Sequence, residues 1–318
     1  MTTTAGRAIG QPNEPKASLR NRSSRGSILA DRAATVVLWG TGFLVLLILG
    51  AILLHFALAA WGVVSLSFIV SDPSETTLGG IFPVLWNSIY MLVLTLLIAV
   101  PIGILGGIYM SEYAGENAVT NAIRFAEESI SSVPSIVVGL FGLILFVDDF
   151  HWGFSALGGA LALTLFNLPL MTRLSEQALR AVPQDERSAS LALGASKWQT
   201  IQHVVVPLAI PGLITSVILT AGRVFGEAAV LLFTAGVGTP PHYNFLNFDL
   251  TSVSSPWSPF RPATTLSVYI YKLQAEGLGN YVNQIVDGSA AILISMVLIF
   301  NLGARYLGRV LSRRLTGA

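Results

Sequence analysis

Long apolar runs without charged residues dominate the pattern along the chain. They lie at about Ala34–Val64, Trp86–Ser111, Ile130–Val147, Phe154–Thr172, Pro207–Thr234 and Gly288–Leu302, and only the fifth contains charges, Arg223 and Glu227. About 20 apolar residues are enough for a helix to cross roughly 30 Å of hydrocarbon. None of the runs shows the period-two alternation of barrel strands. The pattern therefore predicts an all-α membrane protein with six transmembrane helices.

Composition agrees with this pattern and excludes several classes of protein. Hydrophobic residues make up 53% of the 318 residues and charged residues 11%, whereas soluble domains carry about 25% charged residues. The net charge of +1 gives no indication of a nucleic-acid partner. The absence of cysteine excludes disulfides and thiolate metal sites.

The distribution of Lys and Arg predicts the orientation of the chain. Fifteen of the 18 basic residues fall in the N-terminal tail, the second and fourth loops and the C-terminus. Since cytoplasmic loops carry the excess of Lys and Arg, both termini are predicted to be cytoplasmic. We expect a disordered tail at 1–33 and a membrane domain at 34–318, with a long cytoplasmic loop at about 175–206 and an external loop at about 235–286. The external loop includes a candidate amphipathic helix, Thr265–Gly277, that would lie on the membrane.

Glycine and proline recur inside the predicted spans. Gly103 and Gly107 form a GxxxG spacing, and Pro101, Pro134 and Pro169 interrupt three of the runs. Small residues let membrane helices approach closely, and proline leaves a carbonyl without its helical partner. The pattern indicates either ordinary close packing or a kinked bundle that rearranges.

Arg223 and Glu227 are charged residues within an apolar run. A lone charge at the centre of a membrane helix costs about 2.5–3.5 kcal/mol on insertion scales. Their i, i+4 spacing would place both on one face of a continuous helix, where they would neutralise each other. They are candidates for a transport pathway or for a structural salt bridge.

The long cytoplasmic loop carries a predicted helical hairpin. Pro183 and the acidic residues after it begin one helix, Gly194 ends it, and a second helical stretch runs into the membrane at Pro207. Ala189, Ala192 and Ala195 are small and regularly spaced. The segment is either an interfacial hairpin or a helix that docks in the groove of another protein.

This loop resembles the cytoplasmic motif of ABC importer permeases. The motif is Glu-Ala-Ala, three residues, Gly, nine residues, then Ile-x-Leu-Pro. Gly194 and Pro207 keep its spacing, and Ser188, Ala189 and Ser190 occupy the Glu-Ala-Ala places. The resemblance implies a coupling helix that contacts an ATPase subunit through Ser188 to Lys197, including Gly194 and Ala195.

Two further stretches narrow the resemblance. Ser131–Gly142 and Ala221–Thr234 are similar to segments of PstA-type permeases of phosphate-specific ABC importers, although PstC-type permeases share these motifs. The resemblance implies a type I ABC importer permease fold in the bacterial inner membrane and no catalysis or cofactor of its own. It also implies a PstC-like second permease, PstB-like ATPase subunits and a PstS-like phosphate-binding protein that meets the external loop.

The resemblance also suggests roles for the charged residues. A guanidinium matches phosphate oxygens with a bidentate fork, so Arg223 would bind the passing anion. Glu227 would compete for Arg223 and keep the site weak, since conduction requires easy release. Arg173 would attract the anion near the exit or serve as a positive-inside anchor.

Other functions remain open at this point. They are a PstC-type permease, a permease for another oxyanion such as molybdate, and a secondary carrier, although the internal repeats typical of carriers are not evident. An intramembrane hydrolase lacks a convincing pair of catalytic residues. The chain has no Gly-x4-Gly-Lys-Ser/Thr loop for ATP and no HExxH metal motif.

Overall fold

The computed structural model describes residues 25–74, 79–115, 117–238, 242–277 and 281–316, and the regular secondary structure of these residues is all helical. The long helices are α1 (Arg25–Ala59), α3 (Phe82–Ile108), α6 (Ala156–Arg180), α9 (Val206–Gly226) and α12 (Val282–Thr316). The shorter ones are α2 (Leu66–Val70), α4 (Ala118–Ser132), α5 (Ser135–Gly142), α7 (Gln184–Ala192), α8 (Lys197–Thr200), α10 (Ala229–Thr234) and α11 (Leu266–Glu276). Turns of π-helix continue these helices. One extends α3 (Tyr109–Tyr113), one extends α5 (Leu143–Asp149), and one joins α8 to α9 (Ile201–Val205).

The chain divides into two compact units after Leu54. The first unit contains most of α1, of which Leu29–Ala59 is long and apolar enough to cross a membrane. Helix α1 begins at Arg25, so it starts within the tail predicted at 1–33. Residues 1–24 lie outside the described residues.

The predicted third span is bent rather than straight. In place of one helix over Ile130–Val147, α4 and Ser135–Asp149 meet at an angle of 100°. Pro134 lies at the bend as the N-cap of α5, with an extended backbone and no N–H to continue a helix. Within the described ranges, five helices are long and apolar enough to span a membrane, and the number becomes six if this bent pair counts as one span.

Glycines set the distance between α3 and α6, which pack along much of their length. A Cβ placed on Gly103 would lie 2.4 Å from the Met171 Cγ, and one placed on Gly107 would lie 2.6 Å from the Ser175 Cβ. Both glycines are buried. The predicted close packing at the GxxxG spacing is therefore present, and α6 is the partner.

Replacing Gly107 with valine should prevent α3 from seating against α6. The added Cβ would also lie 2.9 Å from the Glu176 backbone nitrogen, which cannot move aside as a side-chain tip can. Overpacking of this kind costs about 1–3 kcal/mol or more. We expect a reduced yield of monodisperse protein in size-exclusion chromatography. Gly303→Val in α12 is the matched control because a Cβ there meets nothing within 4 Å, and equal yields of the two variants would contradict the packing argument.

A second group of buried apolar side chains lies near the start of α3. At one end of α3, buried side chains of α2, α3, α11 and α12 pack together, among them Phe68, Ile81, Leu266 and Ile285. Helix α11 lies within the predicted helix Thr265–Gly277. Its residues Leu266, Val268 and Tyr269 are buried, so one face of α11 contributes to the protein core.

Candidate functional site

Arg223 and Glu227 do not form the predicted ion pair. Helix α9 ends at Gly226, and Glu227 has an extended backbone that takes it off the helical face. Its carboxylate Oε1 accepts a hydrogen bond from the Val230 backbone N–H at 3.3 Å, and its carbonyl accepts one from the Ser267 hydroxyl at 2.9 Å. The predicted i, i+4 pair is wrong because the apolar run contains two helices, α9 and α10, rather than one.

Arg223 instead lies over an aromatic ring. Its guanidinium carbon is 4.0 Å from the centroid of the Phe166 ring of α6, a cation–π distance. The side chain is half-buried. No carboxylate oxygen of the described residues lies within 4.0 Å of it. The N–H groups of Arg223 are therefore available to an anion, next to the apolar residues Val224 and Phe225 of α9.

Arg173 lies on the same face of α6 as Phe166, the residue that Arg223 contacts. It lies seven residues after Phe166 on α6, two turns or about 10 Å along the axis. Its guanidinium is 3.7 Å from a Glu128 oxygen, and both side chains are largely exposed. The structure thus places Arg173 and Arg223 on one side of α6 without bringing them into contact.

Beside Arg173 lies a tighter ion cluster that the sequence did not indicate. The nearly buried Glu176 carboxylate accepts from Arg124 at 2.8 Å and from Arg180 at 2.9 Å. Two cations on one carboxylate leave it fully paired. The sequence does not predict the cluster, because Arg124 and Glu176 are 52 residues apart and no local pattern connects α4 with α6.

The segment around Gly194 is the predicted helical hairpin, which we call the Gly194 hairpin (184–200). Gly194 has φ +88°, a conformation that other residues rarely adopt, so it permits the turn between α7 and α8. Ser196 and Gln199 form a capping box at the start of α8. The hydroxyls of Ser190 and Thr200 are 2.9 Å apart and join the two arms.

One side of the Gly194 hairpin exposes apolar side chains. Leu193 is 90% exposed, and Leu191 and Trp198 are about half exposed. Ser188 and Ala189 are also exposed, while Ser190 and Ala195 are half-buried. An exposed apolar patch of this kind commonly marks an interaction surface.

The other side of the Gly194 hairpin is bonded to the end of α3. Arg187 pairs with the Glu112 carboxylate, and its second terminal nitrogen donates to the Leu179 carbonyl at 2.7 Å. Lys197, predicted to contact an ATPase, donates to the Glu112 carbonyl and lies 4.9 Å from the centroid of the Tyr113 ring. Sequence reasoning missed Glu112, which is 75 residues away from Arg187.

At the opposite end of α3, a buried arginine anchors the long loop after α10. We call 242–265 the cap loop. Arg261 is 1% exposed and has no carboxylate partner among the described residues. It donates to the Asn87 Oδ1 at 2.8 Å, the Tyr243 hydroxyl at 2.6 Å and the Pro256 carbonyl at 2.9 Å. Burial lowers the pKa of Arg261 and raises that of Tyr243, since each charged form loses water.

The cap loop also carries aromatic side chains. Trp257 lies edge-on to Trp86 of α3 with ring centroids 5.1 Å apart, and it stacks on Phe248. Leu246 and Phe248 are 84% and 70% exposed. The outer surface of this loop is therefore apolar as well.

Comparison with known proteins places these features in a family. Residues 99–317 match the family described as binding-protein-dependent transport system inner membrane component. The chain is 49% identical over 253 residues to the probable ABC transporter permease protein YqgI of Bacillus subtilis, covering 79% of this chain and 86% of the relative. It is 33% identical to the phosphate transport system permease protein PstA of Haemophilus influenzae, covering 79% and 84%.

Solved structures show the same fold at low sequence identity. A chain of a bacterial alginate ABC transporter, solved with a periplasmic protein bound to an alginate pentasaccharide, matches with a TM-score of 0.63 at 14% identity, covering 91% of this chain and 98% of that one. A chain of the inward-facing methionine transporter MetNI matches with a TM-score of 0.52 at 17% identity, covering 73% and 94%.

This family sets aside the secondary carrier and the hydrolase. Its members are non-catalytic membrane subunits of ABC importers, which operate with a separate ATPase and a substrate-binding protein. The present chain, a multi-pass protein of the inner membrane, belongs to the family of binding-protein-dependent transport system inner membrane components.

Proposed function

We propose that the chain is a PstA-type permease that forms half of the pathway of an ATP-driven importer of inorganic phosphate. The observation that carries the proposal is the Arg223 guanidinium, which lies within an apolar helix without a carboxylate partner among the described residues. Such a charge is expensive in a membrane and is expected to serve a function. The similarity to PstA proteins supports phosphate as the anion.

The geometry around Arg223 suits a transient phosphate site. The fork of a guanidinium holds two phosphate oxygens, while its face rests on the Phe166 ring. Arg173, about 10 Å along α6, would receive the anion next. Because Glu227 caps α10 instead of pairing with Arg223, weak binding comes from the single cation rather than from competition by a carboxylate.

The proposed partners fit the two ends of the molecule. A PstB-like ATPase would bind the exposed side of the Gly194 hairpin on the cytoplasmic face, and both termini would lie on that face. A PstS-like phosphate-binding protein would meet the cap loop outside, and a PstC-like permease would complete the pathway. The four sets of subunits account for binding, passage and energy.

The test is reconstitution of the importer with its companion subunits in proteoliposomes that contain ATP. We expect uptake of radiolabelled phosphate that requires ATP and the phosphate-loaded binding protein. Molybdate and sulfate in excess serve as competitors. Uptake of molybdate in preference to phosphate would overturn the assignment of the substrate while keeping the importer.

Replacing Leu193 with aspartate should weaken binding of the ATPase. The residue is 90% exposed at the hairpin tip, so the change leaves the fold intact, yet it would place a charge in an apolar contact. Loss of an apolar interface anchor costs about 2 kcal/mol, roughly a 30-fold weaker affinity. The measurement is co-purification of the ATPase with the tagged permease.

Leu246→Asp is the matched control for Leu193→Asp, since Leu246 is 84% exposed but lies in the cap loop. Retention of the ATPase by this variant and its loss by Leu193→Asp would place the ATPase at the hairpin. The reverse result would invert the proposed orientation.

A further inference from the structure

The end of α3 nearest the Gly194 hairpin gathers cations from other segments. The carbonyls in the last turn of a helix lack intrahelical partners and attract positive charge. Here the final turn is the π-helical segment Tyr109–Tyr113. Arg180 donates to the Met110 carbonyl at 3.2 Å, and Lys197 donates to the Glu112 carbonyl. Segments of π-helix often mark functional sites.

The strongest of these contacts is the pair of Glu112 and Arg187. The Glu112 side chain is 9% exposed and that of Arg187 is 12% exposed, so water and salt screen the pair little. Arg187 also donates to the Leu179 carbonyl near the end of α6. One guanidinium thereby bonds the Gly194 hairpin to the last turns of both α3 and α6.

The far end of α3 is bonded to the cap loop at several points. The Asn87 side chain accepts from Arg261 and donates to the Thr264 carbonyl at 3.0 Å. Trp86 and Tyr90 donate to the carbonyls of Pro256 and Trp257 at 3.2 and 2.9 Å. Helix α3 therefore connects the cap loop directly with the Gly194 hairpin.

Close packing keeps α3 from absorbing a displacement between its ends. The helix is continuous from Phe82 to Ile108, through Pro101. Its glycines Gly103 and Gly107 lie against α6 without space for a Cβ. A packed core transmits movement rather than deforming continuously.

We propose that Glu112 and Arg187 form a positioning pair that makes the Gly194 hairpin and α3 move as one body, so that the state of the cap loop reaches the ATPase. The proposal rests on the proposed function, because it assumes that the hairpin binds the ATPase and that the cap loop meets the binding protein. Neither residue contacts phosphate or ATP in this scheme. Their task is transmission.

The experiment measures ATP hydrolysis by the reconstituted importer with and without phosphate-loaded binding protein. The variants are Glu112→Gln, Arg187→Gln and the double variant. We expect each single variant to retain basal hydrolysis. The increase in hydrolysis caused by the loaded binding protein should be about tenfold smaller than in wild type, within the range typical of coupling between distant sites. Because the residues act as a pair, the double variant should lose no more than either single one.

Glu186→Gln is the control, since it removes a carboxylate from the same hairpin that has no ion pair among the described residues. Stimulation by the loaded binding protein should persist in this variant. Its loss would assign the effect to the charge of the hairpin and overturn the pair.

The remaining outcomes separate the two proposals. A wild-type importer that loaded binding protein does not stimulate would refute the proposed function itself. With a stimulated wild type, unchanged stimulation in the single variants would overturn the positioning pair. So would losses that multiply in the double variant, or an equal fall in basal and stimulated hydrolysis, which indicates general damage to assembly.

Discussion

Replacing Arg223 with glutamine should abolish phosphate uptake while leaving the permease assembled with its partners. Glutamine keeps much of the side-chain volume but carries no charge, so the pathway loses its fork for phosphate oxygens. Hydrogen bonds to a charged group contribute about 1.5–3 kcal/mol each, and losing about 3 kcal/mol corresponds to roughly 100-fold in affinity. The half-buried position and the absence of a carboxylate partner among the described residues predict little effect on folding.

The measurement is phosphate uptake by proteoliposomes that contain equal amounts of assembled importer. Arg223→Lys keeps the charge but loses the planar fork and its stacking on Phe166, so we expect an intermediate rate. Normal uptake by Arg223→Gln would remove Arg223 from the pathway.

Glu227→Gln supplies the contrast. Its amide oxygen can still accept the Val230 N–H, and no ion pair with Arg223 exists to be lost. We therefore expect uptake within about threefold of wild type, since a retained neutral hydrogen bond differs from the original by less than about 1 kcal/mol. A deep loss of uptake in this variant would instead indicate that Glu227 approaches Arg223 in another state of the transport cycle.

The contrast between these residues shows how far the sequence could predict the site. Hydropathy predicted that Arg223 lies inside the membrane, and the cost of burying a charge there made it a candidate for the transport pathway. The break after Gly226 was not evident, because the residues from Pro207 to Thr234 are apolar on both sides of it. The carboxylate that seemed to pair with Arg223 in fact caps the next helix.

Local patterns predicted local features well. The turn at Gly194 and the helix near Thr265 depend on residues within a few positions of one another. The spacing of Gly103 and Gly107 indicated close packing in the same way, although it did not identify α6 as the partner. Pro134 carried the signal for the bend in the third span, but apolar composition outweighed it. Such features follow from backbone conformation and side-chain size alone.

Contacts between distant segments could not be predicted in this way. Glu112 and Arg187 are 75 residues apart, and Asn87 and Arg261 are 174 apart. Each of these residues is an ordinary loop or helix residue in its own sequence context. Their roles depend on which helix ends meet, and that is determined by the packing of the whole bundle.

Replacing Arg261 with methionine should release the cap loop from α3. Methionine fills the space of the stem but donates no hydrogen bond, so the Pro262 carbonyl loses its donor and Asn87 and Pro256 each lose one. Buried groups left without a partner cost about 1–3 kcal/mol each. We expect a midpoint of thermal unfolding about 5 °C lower and faster proteolytic cleavage between 242 and 265.

Two variants calibrate this result. Lys272→Met removes a positive charge from nearby α11 without breaking a hydrogen bond among the described residues, and it should leave cleavage unchanged. Arg261→Lys keeps the charge but cannot reach several acceptors at once. If the fork matters, the lysine variant resembles the methionine variant.

The stability of Arg261→Met shows whether the desolvation penalty of the buried cation or its hydrogen bonds contribute more to the free energy of unfolding. Burying a cation without a carboxylate partner is unfavourable, and apolar replacements of buried charges are sometimes stabilising. Against this stand four hydrogen bonds to neutral oxygens and the rings of Tyr90 and Tyr243, 5.3 and 4.4 Å from the guanidinium carbon. A methionine variant as stable as wild type would show that the desolvation penalty prevails. The cap loop would then be held by the packing of Trp86, Phe245 and Trp257 and by the hydrogen bonds that α3 makes to it without Arg261.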